Sequence, residues 1–394
     1  MTHQPITGPA FAAGLLAAFV GFASSFAVII QGLGAMGASP AEAASGLMAL
    51  AVAMGLGGVV LSLKSRMPIS LAWSTPGAAL LANSGAPEGG FAVAVGAFII
   101  CGLAIVLAGA WKPLARAVAL LPGSIANAML AGVLFGLCLV PVRAVAEFPW
   151  FGLPIIGAWL AVGLWRKLWA VPAALVMTVA LILFALPAPD LSQASLLPDP
   201  VFIWPEFTVS AAIGIALPLF LVTMASQNLP GMAVLNVNGY RPDAGPIFSA
   251  TGLLTLAAAP FGGHAVNLAA ITAALCAGPD VDPKPERRYW AGVVSGAFYT
   301  LFGLGAGAVM ALISAAPPVL IQAVAGLALL GSLAASLSNA LAVAEEREAA
   351  VITFAVTASG LTLFGIGGAF WGLLAGGLVL LLTRWRAQRT NRGG

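Results

Sequence analysis

One histidine and one asparagine stand inside an apolar run that reads PFGGHAVNLAAITAAL, residues 260–275. His264 is one of only two histidines in the chain, and Asn267 follows it three residues later. An imidazole can bind an anion or carry a proton near neutral pH, and a neutral amide can donate two hydrogen bonds to an oxyanion. A structural role stays open for both: His264 would donate to a backbone carbonyl beside a helix break, and Asn267 would cap a helix from Leu268. We include the neighbouring Gly263 among the candidate substrate-binding residues.

A second polar group lies in MASQNLPG, residues 224–231. Ser226, Gln227 and Asn228 are consecutive, so at about 100° per residue only part of the trio can face one cavity. We favour Gln227 and count Ser226 as a further candidate, although the register is not fixed by the sequence. Hydrogen bonding between helices is the alternative role for Gln227.

A third group lies in PISLAWSTPGAALLANSG, residues 68–85. Ser74 and Thr75 could supply hydroxyl donors at the start of a helix, or could bond back to their own chain. Trp73 could stack on an aromatic ring, and Phe22, near Ser25 in the first apolar run, is another candidate for the same contact. Ordinary packing is the alternative for each aromatic residue.

Composition defines the setting of these residues. Of 394 residues, 61% are hydrophobic and 7% are charged, whereas soluble domains carry about 25% charged residues. The sequence therefore predicts a polytopic membrane protein, with the first apolar run as a span and not a cleaved signal peptide. The three cysteines lie in apolar segments at spacings that indicate neither a disulfide nor a metal site, and we expect no cofactor and no nucleic-acid partner.

Apolar runs predict fourteen crossings. Twelve are ordinary helical spans, placed at 9–31, 41–63, 87–110, 122–141, 150–165, 170–186, 207–235, 243–258, 288–313, 317–340, 348–363 and 366–383. Two more, 68–85 and 260–277, are interrupted by Pro and Gly. With fourteen crossings and both termini cytoplasmic, fifteen of the sixteen Lys and Arg residues fall on the cytoplasmic side, and only Arg143 falls outside.

The crossings divide into two halves. Residues 187–206 form the longest connection and carry three acids and no base, which suits an external connector. We predict a first repeat at 1–186 and a second at 207–394, the latter ending in a basic cytoplasmic tail. Because each half has seven crossings, an odd number, the two repeats are inverted relative to each other in the membrane.

The two interrupted stretches occupy the same place in each half. We predict a short strand followed by a half-helix for both, with Pro76 in the first turn of one half-helix and Asn267 capping the other. The N-termini of the two half-helices would then meet near the middle of the bilayer and form an anion site. Pro-kinked ordinary helices are the alternative.

AWSTPGAAL, MASQNLPG and PFGGHAVNLAAITAA, in this order and with this number of spans, resemble the benzoate/proton symporter family (BenE) over nearly the whole chain. The resemblance implies proton-coupled uptake of benzoate or a similar aromatic carboxylate across the bacterial inner membrane. It also implies the seven-plus-seven inverted-repeat fold of uracil symporters and sulfate-type anion transporters, often as homodimers. In that fold crossings 1, 3, 8 and 10 line the substrate site, and one domain moves against the other.

Acidic residues are distributed unlike those of the uracil symporters, which place carboxylates in crossings 8 and 10. All thirteen acids here fall in loops or at span ends, which suits an anionic substrate that a buried carboxylate would repel. An exchanger or uniporter for another anion, or a nucleobase-type symporter, remains an alternative. An integral membrane enzyme is disfavoured, because the sequence lacks HExxH, GxSxG and P-loop motifs.

Overall fold

Long apolar helices dominate the computed structural model, which describes residues 6–185, 198–307, 317–364 and 366–390. Within these ranges nine helices are long and apolar enough to cross a membrane. Most of the predicted connector, residues 187–197, and the end of the predicted tail lie outside the described residues. The protein is a multi-pass membrane protein, as its composition predicts.

Nine α-helices and one strand lie in the described part of the first half. They are α1 (Gly8–Ala35), α2 (Pro40–Ser65), β1 (Leu71–Trp73), α3 (Thr75–Ser84), α4 (Phe91–Ala110), α5 (Lys112–Ala119), α6 (Gly123–Cys138), α7 (Val140–Glu147), α8 (Pro149–Trp165) and α9 (Ala170–Ala185).

Seven helices and three strands follow in the described part of the second half. They are α10 (Val209–Val237), α11 (Ala244–Ala258), β2 (Val266–Leu268), α12 (Ile271–Ala277), α13 (Tyr289–Leu304), α14 (Pro318–Ala340), α15 (Arg347–Ala358), β3 (Thr362–Leu363), β4 (Ile366–Gly367) and α16 (Gly368–Thr390).

The second helix of each half begins at a side-chain cap. Ser39 accepts a hydrogen bond from the Glu42 N–H, and the Glu42 carboxylate accepts one from the Ser39 N–H, which completes a capping box before α2. Asp243 accepts a hydrogen bond from the Gly245 N–H and caps α11. A proline and an acidic residue thus stand together at both helix starts, as Pro40 with Glu42 and as Pro242 with Asp243.

Strands β1 and β2 pair antiparallel, with Leu71 opposite Leu268 and Trp73 opposite Val266. Each strand has three residues, and the half-helices α3 and α12 follow them. Backbone groups at membrane depth must be satisfied within the protein, and this pairing does so for both interrupted stretches at once. Strand and half-helix in each stretch agree with the sequence prediction.

Two predicted boundaries in the second half are wrong. Asn267 lies in β2 and does not cap a helix from Leu268; α12 begins at Ile271 after Ala270, without a side-chain cap. Pairing with Ala72 keeps Asn267 extended, so the helix begins three residues later than the residue type of Asn267 suggests. Helix α15 ends at Ala358 and not near 363, because Gly360, at a φ of 68°, leads into the β3–β4 hairpin.

Helix α10 contains two wide π-helical turns, Ala212–Ala216 and Met224–Asn228. Each turn ends two residues before a proline, Pro218 or Pro230, which has no backbone N–H to donate to the preceding turn. The second turn carries Ser226, Gln227 and Asn228. The register of this trio thus depends on a local widening that a regular helical wheel does not describe.

Helix α2 packs against α13 at very short range. A Cβ atom on Gly55 would lie 2.6 Å from the Gly296 carbonyl oxygen, and one on Gly296 would lie 2.4 Å from the Gly55 carbonyl oxygen. These two glycines allow the helix backbones to touch, as small residues do in membrane bundles.

Candidate functional site

Ser74, between β1 and α3, is the residue where three predicted crossings meet. Its Oγ accepts a hydrogen bond from the Gly77 N–H at 3.1 Å and so caps α3. The Thr223 hydroxyl of α10 also donates to this Oγ, at 2.8 Å. Ser74 is fully buried, so its hydroxyl organises the start of α3 and is not open to a cavity.

His264 and Asn267 bind the backbone of Ser74. The His264 Nε2 donates to the Ser74 carbonyl oxygen at 3.0 Å, while its Nδ1 has no hydrogen-bond partner among the described residues. With the Asn267 amide turned so that its oxygen faces a donor, that oxygen accepts from the Ser74 N–H at 2.9 Å and its nitrogen donates to the Leu268 carbonyl at 2.7 Å. Both side chains are fully buried.

Asn228 secures the other edge of β2. Its Oδ1 accepts a hydrogen bond from the Leu268 N–H at 2.9 Å, and the side chain is fully buried. The π-helical turn therefore divides its polar trio between two tasks. Asn228 holds the strand, which leaves Gln227 and Ser226 on the other side of α10.

A cavity of about 100 Å³, the inner cavity, lies where β1 and the starts of α3 and α12 meet α1, α10, α13 and α14. Its walls contain the first residues of α3 and the residues directly before α12, so the N-terminal ends of both half-helices face one space. The lining residues are Val20, Gly21, Ser24, Ser25, Ala72, Trp73, Thr75, Pro76, Gln227, Ala269, Ala270, Thr272, Tyr299, Ala328, Leu329 and Ser332.

A second cavity of about 230 Å³, the vestibule, adjoins the inner cavity. The two share four wall residues, Pro76, Gln227, Ala270 and Ser332. The vestibule continues between α6, α10 and α14 to Asn127 and to residues near the end of α14. Its remaining lining residues are Ala126, Asn127, Met129, Leu130, Val222, Ala225, Ser226, Pro230, Ala335, Ser336 and Asn339.

Every described residue that lines the inner cavity or the vestibule is uncharged. The donors available to a ligand are therefore neutral: the Gln227 amide and hydroxyl groups. Among the described residues, no three His, Cys, Asp or Glu side chains come together in a way that could hold a metal ion. Such a cavity suits an anion with an apolar body.

Trp73 forms the aromatic wall of the inner cavity and is fixed from two sides. Its Nε1 donates to Ser25 Oγ at 2.8 Å, and Ser25 in turn donates to the Gly21 carbonyl at 2.8 Å. Phe22 packs on Trp73 with ring centroids 5.3 Å apart. Phe22 is not on the wall of the inner cavity; it lines a separate apolar cavity behind Trp73.

The predicted site residues divide into three groups. Trp73, Thr75, Gln227 and Ser25 line the inner cavity, and Ser226 lines the vestibule beside Gln227. Ser74, His264 and Asn267 lie behind the wall, because their polar groups bind backbone atoms instead of facing the cavities. Gly263 lies against Ala258, where a Cβ atom would come within 2.8 Å of the Ala258 Cβ, so it has a packing role.

Several residues that line the cavities are not predicted from the sequence. Tyr299 of α13 and Thr272 of α12 line the inner cavity, and Ser332 of α14 lies on the wall shared with the vestibule. One signal was available, since Tyr299 is one of only three tyrosines and lies in an apolar run. Ser332 gave no signal, because a serine in a membrane helix usually bonds to its own backbone.

The fold defines a class of protein. The transmembrane domain of a cyanobacterium bicarbonate transporter, BicA, matches with a TM-score of 0.60 and 15% identity over 97% of this chain and 98% of that one. Murine Slc26a9, an anion transporter in the inward-facing state, matches with a TM-score of 0.64 and 12% identity over 98% of this chain and 70% of that one. The chain has the fold of these anion transporters.

Sequence comparison defines the family. Residues 4–382 match the family model BenE, benzoate membrane transport protein, and the chain belongs to this family of transporters. The inner membrane protein YdcO of Escherichia coli (strain K12) is 41% identical over 389 residues, 98% of either chain. The benzoate membrane transport protein of Acinetobacter baylyi (strain ATCC 33305 / BD413 / ADP1) is 33% identical over 370 residues, 94% of either chain. The protein is thus a membrane transporter and not an enzyme.

Proposed function

We propose that the protein is a secondary active transporter that imports benzoate or a similar aromatic carboxylate across the bacterial inner membrane, with a proton, by alternating access. The observation that carries the proposal is the inner cavity, where the N-terminal end of α3, the Gln227 amide and the indole of Trp73 meet. The family and the Acinetobacter relative support the substrate class.

The substrate carboxylate would lie at Thr75, Pro76 and Gln227. The N-terminal end of α3 carries a partial positive charge, and the Thr75 hydroxyl and the Gln227 amide supply neutral donors. The backbone of the first turn adds little, because Pro76 has no N–H and the Gly77 and Ala78 N–H groups already bond to Ser74. The aromatic ring would lie against Trp73, with Val20 and Leu329 completing an apolar slot. This arrangement fixes a polar end and an apolar end, as a small-molecule site requires.

His264 and Asn267 would act on this site through Ser74. They hold the backbone of the residue that caps α3, so they set where the first turn of α3 points. His264 remains our candidate for proton coupling. Its Nδ1 lies behind the wall and has no partner in the described part of the chain, so a proton gained there would change the bond to Ser74 and hence the position of α3.

The vestibule indicates how the site opens. It extends toward Asn127, one turn into α6, and Asn339, at the end of α14. These helix ends are followed or preceded in the chain by basic residues, Arg347 at the start of α15 and Arg116 on α5, which the positive-inside rule predicts to be cytoplasmic. We infer an inward-open conformation with both termini cytoplasmic, built from inverted repeats at 1–186 and 207–394.

Uptake of labelled benzoate into proteoliposomes tests the proposal. We expect accumulation when an inward-directed pH gradient is imposed, and competition by substituted benzoates but not by uracil or sulfate. Uptake that merely equilibrates, whatever the pH gradient, would identify a uniporter, and uptake that needs an internal anion would identify an exchanger. Absence of benzoate uptake combined with uptake of another anion would overturn the substrate assignment.

A further inference from the structure

A further cavity, the lateral groove, lies away from the proposed substrate site. It has a volume of about 370 Å³ and runs between α6, α10 and α16. All but one of its lining residues are apolar or glycine: Leu121, Pro122, Ile125, Leu217, Leu221, Phe370, Leu373, Leu374, Gly377, Leu380, Leu381 and Arg384. Neither the inner cavity nor the vestibule shares a residue with it.

The groove opens to the side of the helix bundle. Leu217, Leu374 and Leu381 are 41%, 55% and 67% exposed, and in a membrane such side chains face lipid hydrocarbon. A Cβ atom on Gly377 would have no neighbour within 4 Å among the described residues, so these residues leave the middle of the groove unfilled. A hydrocarbon chain can therefore enter from the bilayer without any movement of the protein.

Basic residues stand at one end of the groove. Arg384 lines it directly, with 56% of its side chain exposed, and donates one hydrogen bond to the Glu346 carboxylate at 2.5 Å. A guanidinium has five N–H donors, so this bond leaves others for a ligand. Lys112 and Arg116 are exposed on α5, whose last residue, Ala119, lies just before Leu121 of the groove.

We propose that the lateral groove binds an anionic phospholipid from the leaflet on the side of the basic loops. One acyl chain would fill the space beside Gly377, and the phosphate would accept hydrogen bonds from Arg384, with Arg116 and Lys112 adding attraction. A free anion would not contact the apolar part of the groove, and a lipid without net charge would not pair with the basic residues at its end. The combination selects the anionic phospholipid.

A lipid in this groove would contact a helix that also lines the proposed substrate site. Helix α10 forms one wall through Leu217 and Leu221, and the same helix carries Gln227 on the wall of the proposed substrate site. Helices α6 and α16 form the other walls. An acyl chain would therefore complete the packing between α10 and its neighbours at a seam that protein side chains leave open.

Lipid titration of the purified full-length protein in detergent tests the assignment, with no need for transport activity. Phosphatidylglycerol and phosphatidylcholine with the same acyl chains are compared by native mass spectrometry and by the shift in melting temperature. We expect phosphatidylglycerol to bind more tightly and to stabilise more. Inorganic phosphate serves as a third probe, and stabilisation by it equal to that by phosphatidylglycerol would contradict a lipid site.

Four variants sharpen the test. Gly377→Phe fills the groove and should abolish the preference for phosphatidylglycerol, whereas Gly157→Phe, on α8 at a glycine that also faces open space, should keep it. Arg384→Gln should weaken phosphatidylglycerol binding about fivefold, the contribution of one basic residue at an anionic surface. Glu346→Gln breaks the same ion pair but keeps Arg384, so it should retain or strengthen binding.

Two results would overturn the proposal. One is equal stabilisation of the wild-type protein by the two lipids. The other is an unchanged preference for phosphatidylglycerol in the folded Gly377→Phe variant, whose melting temperature without lipid serves as the check on folding.

Discussion

His264, two residues before β2, donates a hydrogen bond from Nε2 to the carbonyl oxygen of Ser74, the residue that caps α3, at 3.0 Å. The same carbonyl oxygen accepts the first helical hydrogen bond of α3, from the Ala78 N–H at 2.8 Å. The histidine is thus attached to the helix start that faces the inner cavity, although its ring does not line that cavity.

His264→Gln separates the hydrogen bond from the titratable group. The glutamine amide can still donate to the Ser74 carbonyl, but it cannot take up a proton. We expect this variant to keep benzoate binding and to lose accumulation driven by a pH gradient. Binding is measured with labelled benzoate in detergent, and accumulation in proteoliposomes.

His264→Ala is the companion variant. It removes the donor as well as the ring and leaves a void, so it should lower the free energy of unfolding by about 2–4 kcal/mol and weaken binding too. If His264→Gln accumulated benzoate as the wild-type protein does, the proton would travel elsewhere, for example on the substrate itself.

The order of the elements is predictable from the sequence because each membrane crossing requires a long apolar run. The two exceptional stretches are recognisable because they contain Pro and Gly, which do not suit the middle of a regular helix. β1 with α3 follows this rule, and Pro76 stands in the first turn as its residue type suggests. Asn267 breaks the rule. Its short polar side chain favours a cap, but its pairing partner Ala72, 195 residues earlier, keeps it in a strand.

The site itself is only partly predictable from sequence. Gln227 and Trp73 are conspicuous polar and aromatic residues at breaks, and both line the inner cavity. Phe22 and His264 are equally conspicuous but point to protein neighbours, a difference that depends on packing of distant segments. Ser332 and Thr272 give no local signal, since only the approach of α14 and α12 brings them to the cavity.

Gln227 should contribute directly to anion binding. Replacing it by leucine removes neutral donors from the wall shared by the two cavities, and hydrogen bonds to a charged group contribute about 1.5–3 kcal/mol, or roughly ten- to hundredfold in affinity. Gln227→Glu should be worse, because a second negative charge would repel the carboxylate. Dissociation constants for benzoate measure both effects.

Ser226→Ala is the matched control for Gln227. Ser226 lines only the vestibule, and its hydroxyl donates to the Val222 carbonyl at 2.6 Å, so its loss should leave the affinity for benzoate close to that of the wild-type protein. Equal losses in Ser226→Ala and Gln227→Leu would show that α10 matters for packing and not for direct binding.

Ser25 should stabilise the indole of Trp73. In Ser25→Ala the buried Nε1–H of Trp73 loses its partner, which should cost about 1–3 kcal/mol. Trp73→Phe removes the same N–H, so adding Ser25→Ala to Trp73→Phe should cost much less than Ser25→Ala alone. A double-mutant cycle on melting temperatures measures the coupling, and additive shifts would contradict it.

The stability that the Glu346 carboxylate contributes should depend on pH. A hydrogen bond from Ser124 at 2.5 Å, together with Arg384, lowers the pKa of this carboxyl below its ordinary value. A lowered pKa in the folded protein contributes stability above the unfolded-state value, near 4.5, and that contribution is lost as the pH falls through the folded-state value.

Ser124→Ala tests this sign. It should lower the melting temperature at pH 7, and the difference from the wild-type protein should shrink as the pH is lowered toward and below 4. A difference that stays constant with pH would mean that Ser124 acts through packing alone. Melting in a buffer series at constant ionic strength makes the comparison.

Gly21 should be essential for the shape of the inner cavity, because Tyr299 approaches it closely. A Cβ atom on Gly21 would lie 1.8 Å from the Tyr299 hydroxyl oxygen, so Gly21→Ala must displace that ring, at a cost of about 1–3 kcal/mol, and should weaken benzoate binding. Gly34→Ala, on the same helix with no atom within 4 Å of the added Cβ, is the matched control and should bind normally. Tyr299→Phe in the Gly21→Ala background removes the closest atom and should restore part of the affinity. Wild-type benzoate affinity in Gly21→Ala would mean that the substrate does not use the Tyr299 side of the cavity.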